Sequence, residues 1–348
     1  MTETTVQRYD THNMRKLLLE FPQQIEDAVR IGNNTRIPVK SSSVSNIVVT
    51  GLGGSAIGGD ILRSYVAEEL SIPFVINRHY FLPKFVNKKT LVIVSSYSGS
   101  TEETIAAHLD ARKRKASVLC ITSGGETEQL ARKFGQPLIK IPKGYPPRTA
   151  LGYSFFAPLV ALTKLKVLAP RDKEINETIK LLNNKVNVYA SLTKHNPAYE
   201  LAKQLFNRCP IIYSSSDRLD AVNVRWRGQL AENAKVLAFG NVLPEMNHNE
   251  LVGWKVLRRQ MNDMAVVFLR DRGEHPRVQT RMKITKSIVS EFTNRVVEVY
   301  SEGTSLLARS FSLICLGDWT SYYLALLNGI DPTPVHIIDY LKWELAKT

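Results

Sequence analysis

Two short segments carry residue types suited to holding an oxyanion. Ser95-Ser96-Tyr97-Ser98-Gly99-Ser100-Thr101-Glu102-Glu103-Thr104 places five hydroxyls, at positions 95, 96, 98, 100 and 101, within seven residues at a predicted helix start. One hydroxyl suffices to cap a helix, and Ser100 with Glu103 reads as a capping box. The surplus suits a phosphate dianion. A phosphate that is held rather than transferred needs neither a lysine nor Mg²⁺, because hydroxyls and helix N–H groups can donate to it.

The second segment is Gly51-Leu52-Gly53-Gly54-Ser55-Ala56-Ile57-Gly58-Gly59-Asp60. Gly51, Gly53 and Ala56 satisfy a loose GxGxxA dinucleotide pattern. That pattern requires an acidic residue at the end of the next strand, and Val75-Ile76-Asn77-Arg78 supplies none. No Gly-Lys-Ser/Thr follows, so the loop is not a P-loop. What remains is a row of backbone N–H groups at a helix start, open to an anion or a sugar oxygen.

Elsewhere single titratable residues stand in distinctive surroundings. Glu232 lies in Ala231-Glu232-Asn233-Ala234-Lys235. His248 lies in Leu243-Pro244-Glu245-Met246-Asn247-His248-Asn249-Glu250. Arg148 follows Pro146-Pro147, and Lys342 sits in a C-terminal helical pattern after Pro332-Thr333-Pro334-Val335. Read alone, each is ordinary: a solvated charge, a loop or cap residue, a surface ion pair. His248 to Glu250 is not HExxH, and Cys120, Cys209 and Cys315 lie far apart without a CxxC pair. No metal and no cofactor are therefore expected.

The elements that must position these residues alternate. Strands are predicted at residues 46–50, 72–76, 90–95, 117–122 and 138–141, with helices at 56–70, 101–115 and 127–134 between them. A helix at 13–31 precedes them. The proline-rich Pro142–Arg148 stretch is regular neither as helix nor as strand. It marks the expected boundary between domain 1–150 and domain 151–348. Helices follow at 151–166, 173–193 and 197–206. A second alternating set has strands at 210–214, 236–239, 264–269 and 295–300. Its helices are at 219–233, 276–290 and 304–327, and a last helix spans 335–346. Alternation of this kind predicts two doubly wound α/β domains with parallel sheets and flanking helices.

Composition agrees. The chain has 348 residues, 44% hydrophobic and 22% charged, with a net charge of +14. These are globular values for about two domains. The positive balance favours anionic partners such as phosphorylated metabolites, but it is dispersed, which speaks against nucleic acid. The apolar stretch Ser305–Leu327 contains Arg309 and Asp318 and is expected as a buried helix rather than a membrane span. No membrane contact is expected. Sparse cysteines and the polar start MTETTVQRYD fit a cytoplasmic chain.

The two loops together resemble the sugar isomerase (SIS) domain. With the Glu232 motif, the Leu243–Glu250 motif, Pro146-Pro147-Arg148 and the Pro332…Lys342 segment, nearly the whole chain resembles the archaeal-type bifunctional phosphoglucose/phosphomannose isomerases. The resemblance implies two SIS subdomains and reversible aldose–ketose isomerisation of glucose 6-phosphate, mannose 6-phosphate and fructose 6-phosphate. It implies a homodimer in which His248 reaches the neighbouring subunit's site, and a place in glycolysis and gluconeogenesis. Carried over by motif, Glu232 moves the proton between carbons 1 and 2, and His248 and Lys342 serve ring opening and closing. Arg148 lies beside the reacting carbons. Ser96, Ser98 and Thr101 hold the phosphate, and Gly54 and Ser55 lie against the sugar.

The residue types suit that chemistry. A proton alpha to a carbonyl needs a positioned carboxylate and a stabilised enediolate. An arginine, always charged, can stabilise the oxyanion, and an imidazole can move the ring-opening proton. The competing reading is a non-catalytic sugar-phosphate sensor built on SIS domains. Such regulators append a DNA-binding helix-turn-helix, and the expected first strand near residue 46 leaves little chain for one. The N-terminal segment and residues 171–196 carry no functional expectation.

Overall fold

A computed structural model describes residues 1–39, 44–192 and 195–347. The chain divides into two compact units. One comprises Glu20–Asn183 with Gly303–Ala308. The other comprises Met1–Leu19, Asn184–Glu302 and Arg309–Thr348.

The first unit is built on five parallel strands: β1 (Asn46–Thr50), β2 (Phe74–Asn77), β3 (Thr90–Ser95), β4 (Ser117–Thr122) and β5 (Leu138–Lys140), in the order β2-β1-β3-β4-β5. β3, Thr-Leu-Val-Ile-Val-Ser, is buried along its whole length. Strands covered on both faces read as continuous β-branched runs rather than alternating ones. On one face Val48, Val92, Val94 and Cys120 pack with Ala107, Ala111 and Ala131. Helix Leu151–Lys164, buried from Leu151 through Leu162, packs on helices Phe21–Asn34 and Gly53–Val66. A helix apolar all round must be enclosed. It groups with the first sheet, so residue 150, the expected boundary, lies inside this unit.

The second unit has four parallel strands: β6 (Cys209–Ser215), β7 (Phe239–Leu243), β8 (Met264–Arg270) and β9 (Val296–Tyr300), ordered β7-β6-β8-β9. Tyr213, Phe268, Met246, Trp254 and Met282 form the core on one face. Helix Leu306–Leu327 carries the two charges noted in the sequence, and both are paired inside the unit. Arg309 Nε donates to Asp271 at 2.7 Å, and Asp318 accepts from Arg225 at 2.6 Å.

Several predicted elements differ in place. The single helix expected over 13–31 is two, Met14–Leu19 and Phe21–Asn34, because Pro22 fits a first turn and not an interior one. The strand expected at 236–239 runs over Phe239–Leu243, after Lys235 ends the preceding helix in the left-handed conformation. The helix expected at 173–193 is Asp172–Ala190, and Thr193 lies outside the described residues. The 56–70 helix begins at Gly53, so the glycine loop itself forms its first turn.

Candidate active site

In the first unit the strand order reverses between β1 and β3, so the loops leaving their carboxyl ends diverge to opposite faces. Ligands of open α/β sheets bind in the crevice this creates. The glycine loop leaves β1 and the hydroxyl loop leaves β3. They are joined: Tyr97 N–H donates to Ser55 Oγ at 3.0 Å, and Ser95 Oγ donates to the Ser55 carbonyl at 3.2 Å. Gly54, Ser55, Ser95, Tyr97, Pro147 and Ser154 line a small cleft there.

The five hydroxyls divide in two. Ser95 and Ser96 are buried and hold the loop: Ser96 Oγ accepts from Gly99 N–H at 3.1 Å and donates to Thr101 Oγ1 at 3.3 Å. Ser98 and Ser100 are exposed and Thr101 half-buried. The expected capping box does not form. Thr101 occupies the cap position of helix Glu102–Lys113, with no side-chain bond to the helix N–H groups. The Thr101 hydroxyl is turned to Ser96 instead, which leaves the helix start without a side-chain acceptor. The loop turns at Gly99, φ +73°, where a Cβ would stand 1.8 Å from the Gly124 carbonyl oxygen.

Arg148 is brought to the same edge. It is 4% exposed and lies in the 3₁₀ turn Pro147–Thr149. A Cβ on Gly54 would stand 2.4 Å from the Pro147 carbonyl oxygen and 2.8 Å from the Arg148 nitrogen. Only glycine permits this approach between the glycine loop and the arginine turn. Gly54, Ser55, Ser96, Ser98, Thr101 and Arg148 thus belong to one edge of one unit.

Glu232, His248 and Lys342 belong to the second unit. Glu232 is half-buried near the end of helix Asp220–Ala234. Arg225, Gln229 and Asn233 form one face of that helix, bonded to Asp318, Asp318 and Ser321 at 2.6, 2.9 and 2.9 Å. This docking fixes the helix rotation. One residue before Asn233, Glu232 is turned about 100° away, where it lines a groove of about 590 Å³ with Lys235, Leu237, Asp331 and Val335. Lys235 caps the helix end, donating to the carbonyl of Glu232 at 2.6 Å and to that of Pro332 at 3.0 Å.

His248 is exposed at the tip of the 3₁₀ turn Glu245–His248. The surrounding motif is anchored by Glu250, which accepts from Tyr213 Oη at 2.5 Å and Asn241 Nδ2 at 2.8 Å. Lys342 is exposed on helix His336–Leu345. Neither His248 nor Lys342 lines the groove beside Glu232. Among the described residues no three His, Cys, Asp or Glu side chains gather as a metal cluster, and no helix is long and apolar enough to cross a membrane. Two residues escaped the sequence reading. Tyr97 lies inside the hydroxyl loop, where the count of serine and threonine hydroxyls gave it no role. Lys235 had a signal, a cation just past a helix end.

Comparison with known proteins follows the same division. Residues 42–163 match the SIS domain model, and residues 194–345 match the model of the bacterial phospho-glucose isomerase C-terminal SIS domain. The bifunctional phosphoglucose/phosphomannose isomerase of Caldicellulosiruptor bescii is 44% identical over 96% of this chain and 99% of its own length. That of Aquifex aeolicus is 37% identical over 86% and 90%. A solved hypothetical protein of Thermus thermophilus shares the fold, with a TM-score of 0.74 at 17% identity, over 99% of this chain and 92% of its own. By its identity to these relatives over nine-tenths or more of their length, the chain belongs to the bifunctional phosphoglucose/phosphomannose isomerase family.

Proposed function

We propose that the chain interconverts glucose 6-phosphate and mannose 6-phosphate with fructose 6-phosphate, through a cis-enediolate. The observation that carries this reading is the edge where the β1 and β3 loops meet. It offers exposed hydroxyls at an uncapped helix start, with a buried arginine held against the glycine loop. That edge suits a phosphate at one end and a developing oxyanion at the other.

Ser98 and Thr101 donate to the phosphate, and Ser96 holds their loop. Gly54 and Ser55 lie against the sugar. His248 and Lys342 move the proton between the carbon 1 hydroxyl and the ring oxygen. The Glu232 carboxylate then takes the proton from carbon 2 of the open aldose. The carbonyl electron pair goes to oxygen 1, and Arg148 stabilises the resulting enediolate. The hydroxyl proton on oxygen 2 passes to oxygen 1, the double bond shifts to carbon 2–oxygen 2, and return of the first proton from Glu232 to carbon 1 gives the ketose. In the reverse direction, rotation of the intermediate about the bond between carbons 2 and 3 offers either face of carbon 2 to the same carboxylate. Both epimers follow from one base. Nothing in these steps calls for a metal or a cofactor.

The chain acts as a homodimer. Helix His336–Leu345 has no buried residue, and Ile337, Tyr340, Leu341 and Trp343 stand exposed on it. Leu237, beside the groove, is 74% exposed. Apolar surface of this extent supports a second copy as its cover. The three free cysteines support a cytoplasmic setting.

The test is the reaction itself. Purified protein with fructose 6-phosphate should yield both aldose phosphates, the glucose epimer read by coupled glucose-6-phosphate dehydrogenase and the mannose epimer by chromatography. Folded protein that binds fructose 6-phosphate and forms neither would favour the sensor reading.

A further inference from the structure

We propose that Tyr97 is a positioning residue for Arg148, acting through the turn that carries the arginine. The proposal rests on the reading above that Arg148 stabilises the enediolate. Tyr97 lies inside the hydroxyl loop, yet its own hydroxyl points to neither Ser98 nor Thr101. It donates to the Pro142 carbonyl at 3.0 Å and accepts from the Tyr145 N–H at 2.8 Å. These two bonds pin both ends of Pro142–Tyr145. The next residues are held by their own turn, since Thr149 N–H and Oγ1 each donate to the Pro146 carbonyl at 2.9 Å. Arg148, 4% exposed, lies within that turn, three residues after Tyr145.

The tyrosine is itself immobilised. Its N–H donates to Ser55 Oγ at 3.0 Å. Its carbonyl accepts from Ser123 N–H at 3.0 Å and Ser123 Oγ at 2.7 Å. One residue therefore ties four segments of this edge: the glycine loop, the hydroxyl loop, the loop after β4 and the Pro142–Tyr145 segment that leads into the arginine turn. Burial raises the phenol pKa above its ordinary value of 10, so the hydroxyl stays protonated and keeps both its donor and acceptor roles. A small-residue or aliphatic spacer could hold the serines apart equally well. Only a phenol of this length both donates and accepts on a turn 45 to 48 residues away.

Tyr97→Phe removes only the oxygen and keeps the ring. If the phenol acts through Arg148, kcat should fall about tenfold, the scale of one or two lost hydrogen bonds. KM should hold within about twofold, because the phosphate hydroxyls are untouched. The decisive reading is a double-mutant cycle with Arg148→Ala. The pair should have the kcat of Arg148→Ala alone. Near-ultraviolet circular dichroism verifies the fold, and Arg148→Lys replaces Arg148→Ala should the alanine variant not fold. A wild-type kcat in Tyr97→Phe overturns the proposal. So does a tenfold loss that persists in full on the Arg148 variant, since the phenol would then act elsewhere. An unchanged kcat in Arg148→Ala has a different meaning: it removes the role of Arg148 itself, and the positioning role with it.

Discussion

Substituting Gly54 by alanine tests how the arginine turn is held against the glycine loop. The added Cβ would stand 2.4 Å from the Pro147 carbonyl oxygen, where ordinary contact begins at 3.4 Å. Both partners are backbone, so no side chain can swing aside. The start of helix Gly53–Val66 and the turn Pro147–Thr149 must part by about 1 Å. Overpacking of this kind costs roughly 1–3 kcal/mol. For a unit of this size that lowers Tm by about 2–12 °C. The catalytic effect should be larger in proportion, because a misplacement of about 1 Å can cost about 10²-fold in rate. The control is Gly228→Ala on helix Asp220–Ala234, where a Cβ meets nothing within 4 Å. It should be neutral or stabilise by about 0.5–1 kcal/mol. Differential scanning calorimetry and kcat/KM for fructose 6-phosphate read both effects. Unchanged Tm and unchanged kcat/KM in Gly54→Ala would refute the close approach. A lowered Tm with full activity would refute its link to catalysis.

Three further outcomes follow from the same geometry. Ser98→Ala with Thr101→Ala should raise KM strongly and change kcat less, since binding common to ground and transition states is lost; an unchanged KM in the folded double variant rejects the phosphate assignment. Burial pushes the Asp331 carboxyl up, but Thr11, His12 and the Thr333 N–H together hold it below its ordinary 3.8. A group depressed in the folded state stabilises fully above the unfolded pKa and loses that contribution as pH falls through the folded one. The Tm gap between wild type and Asp331→Asn should therefore close as pH falls below about 4, and a gap that persists undiminished at lower pH contradicts the pairing. Mixed Glu232→Gln and His248→Ala chains should recover part of the activity through heterodimers, and none after verified subunit exchange means each site is built from one chain.

Much of this architecture is legible in the residues because burial writes itself into strand composition. Asn46–Thr50 and Thr90–Ser95 are β-branched runs between turn signals, and both appear within the same bounds. The hydroxyl surplus at 95–101 marked the loop, but not which hydroxyls face outwards. That depends on Ser96 choosing Gly99 and Thr101 as partners within the folded loop, a choice that also undid the capping box. Helix Leu151–Lys164 defeated the boundary reading for a related reason. Proline marks where regular structure stops, not which sheet the next helix covers. The rotation of Glu232 towards its groove rests on Arg225, Gln229 and Asn233 meeting residues about 90 positions later, which helical spacing alone does not reveal. Tyr97 was invisible in the same way, since its partners lie 26 to 48 residues distant.

The central claim is that one carboxylate serves both epimers. The direct measurement is kcat of Glu232→Gln with glucose 6-phosphate and with mannose 6-phosphate, the fold verified by circular dichroism. The amide keeps the shape of the side chain and removes the base. Both activities should fall together by at least about 10²-fold, the lower end of general-base effects, with KM little changed. Turnover of mannose 6-phosphate that survives while glucose 6-phosphate turnover collapses would contradict the account, because a second base would then have to exist.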